Sequence, residues 1–465
     1  MQRLFAIAGL TWKAAFRFRL FLVLAVLLLA AVVGLPLLIK DDGTARGFTQ
    51  ILLTYTLSVI TALLGLSTLW LACGTLARDI EECQVQIVAV KPIARWQIWL
   101  GKWLGIMLLN AALLALSGGA VYGLLQWRAS RLPADQQRIL RNEVLVARGS
   151  AKPASVMGFI EEEADRRTRD ALQKGGITKA DLTLLRQQFK EQIKGEFQLV
   201  PPASYPSPYR VWEINLGLAR RFLRDQPLFL RVKFNAAQTS VSATYGALWQ
   251  VGVPDTARLW RSDMMSLASD TFHEFQIPAN LFDDNGNLTI VFINPNDTAL
   301  LFPIEDGMEV LFHQGGFGLN YARGLGIIWC WMALLAALGL AAASFLSFPV
   351  AAFLALAVLT LGLSSGSLAN VVSEGTIWSG GGESGAPGGT PADIVAVPIF
   401  RAVLWVINIA KACSPIDALS TGRSIPWAQL AAAFGKIVLL LGGLIGLAGI
   451  GIFNRRELAT AQQTQ

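Results

Sequence analysis

The chain has 465 residues, of which 53% are hydrophobic and only 15% are charged, and its formal net charge is +7. Soluble domains carry roughly 25% charged residues, so this composition excludes an ordinary soluble protein over the whole length. Many basic residues flank apolar runs, and no basic stripe with interleaved aromatic residues is present, so we expect no nucleic-acid partner.

The four cysteines, at positions 73, 83, 330 and 413, all lie outside the middle third of the chain. The sequence therefore predicts no disulfide framework in that region. It contains no CxxC motif and no Cys/His cluster, so it predicts no metal site. A cleavable signal peptide is not predicted either, because the first apolar run is longer than a signal h-region.

The apolar residues predict a polytopic α-helical membrane protein embedded in a lipid bilayer. Residues 2–19 mix basic and apolar side chains, which favours an amphipathic helix in the membrane interface; a plain basic flank is the alternative. At 1.5 Å per residue, about 20 residues cross the roughly 30 Å hydrocarbon core. Six predicted spans follow at 20–39, 51–76, 103–125, 325–345, 350–371 and 430–453.

Basic residues near both termini predict that both ends of the chain are cytoplasmic, which requires an even number of spans. Residues 394–412 are apolar but contain Pro398, Arg401 and Lys411. We interpret them as an interfacial or re-entrant helix on the outer side; a seventh span is the alternative. The expected location is the bacterial inner membrane, with residues 127–322 outside the cytoplasm.

Residues 127–322, which we call the insert, have a sequence that predicts an α+β fold in two parts. Residues 127–204 have helical spacing and predict a helical stalk, whereas 205–322 contain short alternating strands typical of a β-sandwich. Residues 273–297 also resemble a strand pair of jelly-roll carbohydrate-binding modules. The predicted regions are thus 1–126, 127–204, 205–322 and 323–465.

Three tryptophans of the insert, Trp212, Trp249 and Trp260, are candidates for a ligand-stacking face, with a sandwich core as the favoured alternative. The two histidines, His273 and His313, are forty residues apart and make a poor metal site. The acidic run at 283–287 fits a hairpin turn better than a calcium loop, because its glycine and glutamate positions do not match an EF-hand.

The connection between the second and third predicted spans, residues 77–105, is amphipathic. It begins with acidic residues and ends with basic ones, which suits the helix dipole. Pro92 ends the first helix because its ring disfavours helical geometry in the residue before it. A short helix, a turn and a second helix re-entering the membrane predict a compact knob that docks on a partner; a basic connection without a partner is the alternative.

The segments DIEE (79–82), KPIAR (91–95) and LGK (100–102) resemble the permease subunits of ABC transporters of the exporter-like type-2 family. The ending FNRREL (453–458) is similar too, and the resemblance covers residues 1–127 and 323–460. Cys83 and Gln84 depart from the small or basic residue followed by threonine that is frequent in the family. The resemblance implies a coupling helix on an ATPase subunit, with these ATPase-coupling residues: Asp79, Ile80, Glu81, Glu82, Lys91, Pro92, Arg95, Gly101 and Lys102.

The sequence contains no GxxxxGK[ST] phosphate loop, so we expect a non-catalytic subunit without a cofactor of its own. The resemblance implies that ATP and Mg²⁺ are bound by the partner ATPase, and that a second permease copy or a related permease completes a dimer. Asn110 in the third span is a candidate for the substrate pathway or for a helix–helix hydrogen bond. The alternative function is a membrane-anchored protein whose outer domain binds a glycan or a protein.

Overall fold

The structure is a computed structural model, which describes residues 2–17, 20–38, 44–82, 93–173, 181–238, 243–254, 256, 258–363, 366, 369, 372, 391–411 and 413–456. The chain divides into two compact units. The helical unit comprises Met1–Ala147 and Gly315–Gln465, and the inserted unit comprises Arg148–Gln314. The inserted unit is therefore shorter than the predicted insert, 127–322.

In the first part of the helical unit, the described residues form five helices. They are α1 Gln2–Arg17, α2 Leu20–Leu38, α3 Ala45–Glu81, α4 Arg95–Arg131 and α5 Ala134–Glu143. Helix α4 continues beyond the apolar run, and Leu140 and Val144 are buried in the core of the helical unit. These contacts explain why the boundary between the units lies about twenty residues later than hydropathy indicates.

The inserted unit includes most of a first strand, which starts two residues before the unit does, then a helical hairpin and further β-structure. Its helices are α6 Met157–Gln173 and α7 Asp181–Gln198, which pack together through Ile160, Ala164 and Ile193. Its strands are β1 Val146–Ala151, β2 Leu199–Val200, β3 Tyr209–Asn215, β4 Leu228–Val232, β5 Asn235–Ala236, β6 Thr244–Gly252, β7 Leu259–Arg261, β8 Met265–Ala268, β9 His273–Ile277, β10 Asn287–Ile293, β11 Leu300–Leu301 and β12 Met308–Gly316.

The strands that the structure describes form three sheets. The first has the order β1-β12-β4-β9, the second has β3-β10-β6-β7 with β8 on β6, and the third has β2-β11-β5. Alternate residues of β4 and β10, including Leu230 and Ile290, are buried in one shared core, because successive side chains of a strand point to opposite faces. The prediction of a β-rich domain is confirmed, while the jelly-roll likeness stays a prediction.

The helical unit resumes after β12, where the described residues form five more helices. They are α8 Phe317–Ala343, α9 Phe348–Leu363, α10 Pro391–Lys411, α11 Ile416–Ser420 and α12 Trp427–Arg455. The middle of α12, Phe434–Gly442, is π-helical, and Pro398 lies inside α10. The main core of the unit draws buried residues from α2, α3, α4, α8 and α12.

Among the described residues, four helices are long and apolar enough to cross a membrane: α3, α4, α8 and α12. Helices α1 and α2 form a pair bent by 65°, which would be a fifth span if it is counted as one. Helix α9 corresponds to the fifth predicted span but is shorter, and most of 364–371 lies outside the described residues. A multi-pass membrane protein is therefore confirmed, and the total of six spans stays a prediction.

Candidate functional site

Charged side chains meet where α3 ends and α4 begins. The Lys102 Nζ atom lies 2.5 Å from Asp79 Oδ2 and donates a second hydrogen bond to the Thr75 carbonyl oxygen at 2.7 Å. The Lys102 side chain is 8% exposed, and that of Asp79 is 34% exposed. A buried ammonium needs a counter-charge and hydrogen-bond acceptors. This ion pair therefore ties α3 to α4.

Arg95, in the first turn of α4, binds the end of α12. Its Nη1 atom lies 2.9 Å from the carbonyl oxygens of Phe453 and Asn454. The same atom lies 2.8 Å from the carbonyl oxygen of Arg456. The last carbonyls of a helix have no partner within the helix and carry its negative dipole end, so a guanidinium is favoured there. Arg456 Nη1 in turn donates to the Ser344 carbonyl oxygen, just after α8, at 3.1 Å.

Glu81 connects the end of α3 to the start of α9. Its Oε1 atom accepts a hydrogen bond of 2.8 Å from the backbone N–H of Phe348. A carboxylate is favoured at a helix N-terminus, where backbone N–H groups are unpaired. The Arg78 guanidinium lies 4.6 Å from the centre of the Phe348 ring and adds a cation–π contact.

These contacts form one set, which we call the end network: Asp79, Glu81, Arg95, Lys102 and Arg456. It joins α3, α4, α9 and α12 and the residue that follows α8, all at the same end of the helical unit. Four of its five members are residues that the sequence singles out between 79 and 102. The fifth, Arg456, belongs to the C-terminal segment that carries the same resemblance.

The remaining predicted coupling residues have different environments. Ile80 is partly buried against the helical core, and Glu82 is exposed at the end of α3. Lys91 and Pro92 lie outside the described residues, as do Cys83 and Gln84. The described part of the site is therefore the two helix ends that flank the predicted knob.

Gly101 serves helix packing. A Cβ atom at Gly101 would lie 2.7 Å from the Cβ of Ile7, and one at Gly105 would lie 2.6 Å from the Cβ of Thr11. Two glycines four residues apart allow two helices to approach closely. Gly101 and Gly105 thus form the surface of α4 on which α1 packs.

Asn110 is buried between helices in the middle of α4. The Thr68 hydroxyl of α3 lies 3.1 Å from Asn110 Oδ1, and it also donates to the Leu64 carbonyl oxygen at 2.6 Å. Asn110 Nδ2 has no hydrogen-bond partner among the described residues. The contact with Thr68 is the helix–helix hydrogen bond that the sequence offers as one alternative for this residue.

Asn320, near the start of α8, is a structural residue that the sequence does not single out. It is fully buried; its Nδ2 donates to the Arg423 carbonyl oxygen and its Oδ1 accepts from the Ile425 N–H, both at 2.7 Å. It thereby fixes the loop before α12, at the end of α8 remote from the end network. A lone asparagine within an apolar helix is the only sequence signal for it.

The tryptophans of the inserted unit belong mostly to its core. Trp212 and Trp249 are buried, and the Trp249 ring lies 4.8 Å from that of Phe292, centre to centre. Trp260 is half-buried against the same core. A buried indole face cannot stack on a sugar, so the ligand-face interpretation does not describe Trp212 and Trp249. Arg210 lies over the Trp212 ring at 4.9 Å, and burial lowers the pKa of Arg210 to about 10.

No three His, Cys, Asp or Glu side chains come together in a metal-binding arrangement within the part of the chain that the structure describes. No protein-family model, curated protein or solved structure matches this chain.

Proposed function

We propose that this chain is the membrane-spanning permease subunit of an ATP-driven ABC transporter, coupled to a separate ATPase subunit. The observation that carries the proposal is the end network. The residues of 79–102 that resemble a coupling region also bind the ends of other helices. A docking surface that drives transport needs contacts with several helices, because a displacement at this surface must be transmitted to the helices around the pathway.

The end network supplies a mechanical route for this coupling. An ATPase that moves the α3–α4 connection displaces α3 and α4 together, because Lys102 and Asp79 link them. Arg95 passes the displacement to the end of α12, and Glu81 passes it to the start of α9. The ATPase binds ATP and Mg²⁺, and this chain supplies the end network and the transport pathway.

The proposal includes a finer architecture. Helix α2 is the first of six spans, α9 begins the fifth, and α10 lies at the outer interface. Both termini and the end network face the cytoplasm of a bacterial inner membrane, and the inserted unit, a jelly-roll-like sandwich, lies outside. Two copies, or this chain and a related permease, form the dimer that encloses the pathway. The basic residues that flank the first and last apolar runs support this orientation.

Purification of the full chain from its own host in mild detergent tests the proposal. We expect an ATPase subunit with a phosphate loop to co-purify, identified by mass spectrometry. Arg95→Glu places a carboxylate against the α12 carbonyls, so we expect it to reduce the recovered ATPase at least about tenfold, a loss of roughly 1.4 kcal/mol in association. The matched control is Arg131→Glu, the same charge change at the other end of α4.

A monodisperse elution profile must show that both variants are folded. The proposal fails if no ATPase accompanies the wild-type chain, or if Arg95→Glu and Arg131→Glu retain it equally. Recovery of a glycan or a periplasmic protein on the inserted unit, with no ATPase, would favour the membrane-anchored binding protein instead.

A further inference from the structure

The surface of the inserted unit contains a cavity of about 280 Å³ among charged side chains. Its lining comprises Arg220, Arg221, Arg224, Phe282, Asp283 and Asp284. A second cavity of about 270 Å³ shares the last four of these residues and adds Arg258 and Asn280. We call the four arginines and two aspartates around these joined cavities the arginine pocket.

The backbone around the arginine pocket is held in place by specific contacts. The chain turns after β3 at Gly217, whose φ of +56° favours glycine. Arg220 Nη1 donates to the Asp284 carbonyl oxygen at 2.7 Å, and the Arg220 side chain packs over Gly286. Leu223 is buried in the core. The arginine-bearing turn is therefore fixed on the turn before β10.

The positive charge of the arginine pocket is only partly neutralised. Asp283 Oδ1 accepts a hydrogen bond of 2.7 Å from the Asn287 N–H, and Asp284 Oδ1 lies 3.3 Å from Arg258 Nη1. Arg221 and Arg224 make no hydrogen bond or ion pair with the described residues. Four arginines against two aspartates leave a formal charge of +2.

We propose that the arginine pocket binds a phosphate group. Guanidinium groups hold phosphate oxygens through paired N–H donors, which makes arginine the preferred residue for such sites. A phosphate monoester carries a charge of about −1.5 to −2 at neutral pH, which matches the formal charge of the pocket. A cavity of about 280 Å³ suits a headgroup rather than a large ligand. The proposal is independent of the transport function.

Equilibrium dialysis of the full chain in non-ionic detergent against radiolabelled inorganic phosphate tests this site. We expect saturable binding that weakens as salt is added, because exposed charges are screened. The double variant Arg221→Gln/Arg224→Gln removes the two arginines without partners, so we expect at least about tenfold weaker binding. The matched control is Arg166→Gln/Arg169→Gln on α6, which removes the same charge from exposed positions, and we expect it to bind within about twofold of wild type.

A second arm identifies the source of the phosphate. Detergent micelles doped with phosphatidic acid are compared with micelles doped with phosphatidylcholine as competitors for the radiolabel. Competition by phosphatidic acid alone supports a lipid headgroup; binding of inorganic phosphate without competition supports a soluble phosphate. Asp284→Asn raises the formal charge to +3, so we expect tighter binding.

Tryptophan fluorescence of each variant must match the wild type to show that the inserted unit is folded. The proposal is overturned if neither inorganic phosphate nor phosphatidic acid binds saturably. It is also overturned if the α6 control weakens binding as much as the pocket variant does, since the attraction is then diffuse.

Discussion

Two ion pairs, one in each unit, differ in how completely the protein encloses them. In the inserted unit, the side chains of Arg148 and Glu274 are 1% and 4% exposed. In the helical unit, Lys102 is 8% exposed but Asp79 is 34% exposed. When an enclosed ion pair separates, water cannot reach its charges, so the free-energy cost is high. When a half-open pair separates, water replaces the lost protein contact and the free-energy cost is lower. The first pair is therefore costly to separate, and the second is less costly to separate.

The neighbours of the enclosed pair support this distinction. Strand β4 places Arg231 directly opposite Glu274 on β9 and Glu309 on β12. Arg231 Nη1 lies 3.4 Å from Glu309 Oε1, and Ser150 donates to Glu309 at 2.9 Å. Positive and negative side chains therefore alternate from strand to strand across this sheet. Cross-strand pairs of opposite charge stabilise the register of β4 with β9 and β12.

Among the residues that the structure describes, the half-open pair is not part of a comparable network of charges. Asp79 and Lys102 lie on two helix ends, and the residues between these ends include the predicted docking knob. Separation of the pair leaves Lys102 with its hydrogen bond to the Thr75 carbonyl oxygen. The ammonium therefore keeps one acceptor when the pair separates.

The largest expected effect comes from breaking the enclosed pair. Glu274→Gln leaves the Arg148 guanidinium without this carboxylate in a buried site, so we expect the free energy of unfolding to fall by about 3–5 kcal/mol. Asp79→Asn leaves the buried Lys102 ammonium with the Thr75 carbonyl oxygen and a partly hydrated amide oxygen, and we expect a smaller loss of about 1–2 kcal/mol. Denaturant titration of the full chain in detergent, followed by tryptophan fluorescence, measures both.

Glu196→Gln is the exposed control for this comparison. Glu196 is 52% exposed and pairs with Arg167, so its loss should cost less than about 1 kcal/mol. Equal losses for Glu274→Gln and Asp79→Asn would show that enclosure does not distinguish the two ion pairs.

A smaller effect is expected where α1 packs on α4. Gly105→Ala brings a methyl group to within 2.6 Å of the Thr11 Cβ and 2.9 Å of the Ala8 carbonyl oxygen. We expect this overpacking to cost about 1–3 kcal/mol, because the backbone of α1 must shift. The same denaturant titration measures it, and limited proteolysis reports whether α1 detaches.

Gly119→Ala is the matched control, because nothing lies within 4 Å of a Cβ atom at Gly119 of the same helix. It should stay within about 1 kcal/mol of wild type, on the stabilising side, since alanine is the better helix former. A similar loss at both glycines would show that the close approach of α1 is not what Gly105 provides.

The sequence predicts the helices of the membrane frame and the part of the chain that holds the end network. It does not predict the partners: Arg95 binds carbonyls more than 350 residues later in the chain, and Glu81 binds the start of α9. Such contacts depend on which helices are neighbours in space, and apolar periodicity does not encode this. Helix α4 also continues beyond the third predicted span, and the charged Arg128 lies over the Phe48 ring at 3.7 Å within this continuation.

In the inserted unit, the alternation of apolar and polar residues predicts strands but not their order in the sheets. Strand β1 lies beside β12, which is more than 150 residues away in sequence. The same alternation does not show whether Trp212 and Trp249 face the core or solvent, since the sequence of a single strand does not reveal which of its two faces is covered. The arginine pocket joins residues near 220 to residues near 284, and only the packed sheets bring these turns together.

The smallest expected effect concerns the solvent-accessible ion pair of Asp165 and Arg186, which links the two helices of the α6–α7 hairpin. The hydrogen bond and the charge of Arg186 hold the pKa of Asp165 below its ordinary value of 3.8. A carboxyl whose pKa is lower in the folded than in the unfolded chain adds stability above the unfolded pKa. That contribution is lost as the pH falls through the folded pKa, so the hairpin weakens below about pH 4.

Carboxyl NMR shifts of the chain labelled at aspartate test this directly. We expect Asp165 to titrate below 3.8 in the wild type and to move upward in Arg186→Gln, because the donor and its charge are gone. Arg141→Gln on α5 removes an equal charge elsewhere and should leave the pKa of Asp165 unchanged. Added salt should raise the pKa of Asp165, since screening weakens an exposed pair. In the denaturant titration, by contrast, added salt should hardly change the loss caused by Glu274→Gln, since the enclosed Arg148–Glu274 pair is shielded from solvent ions.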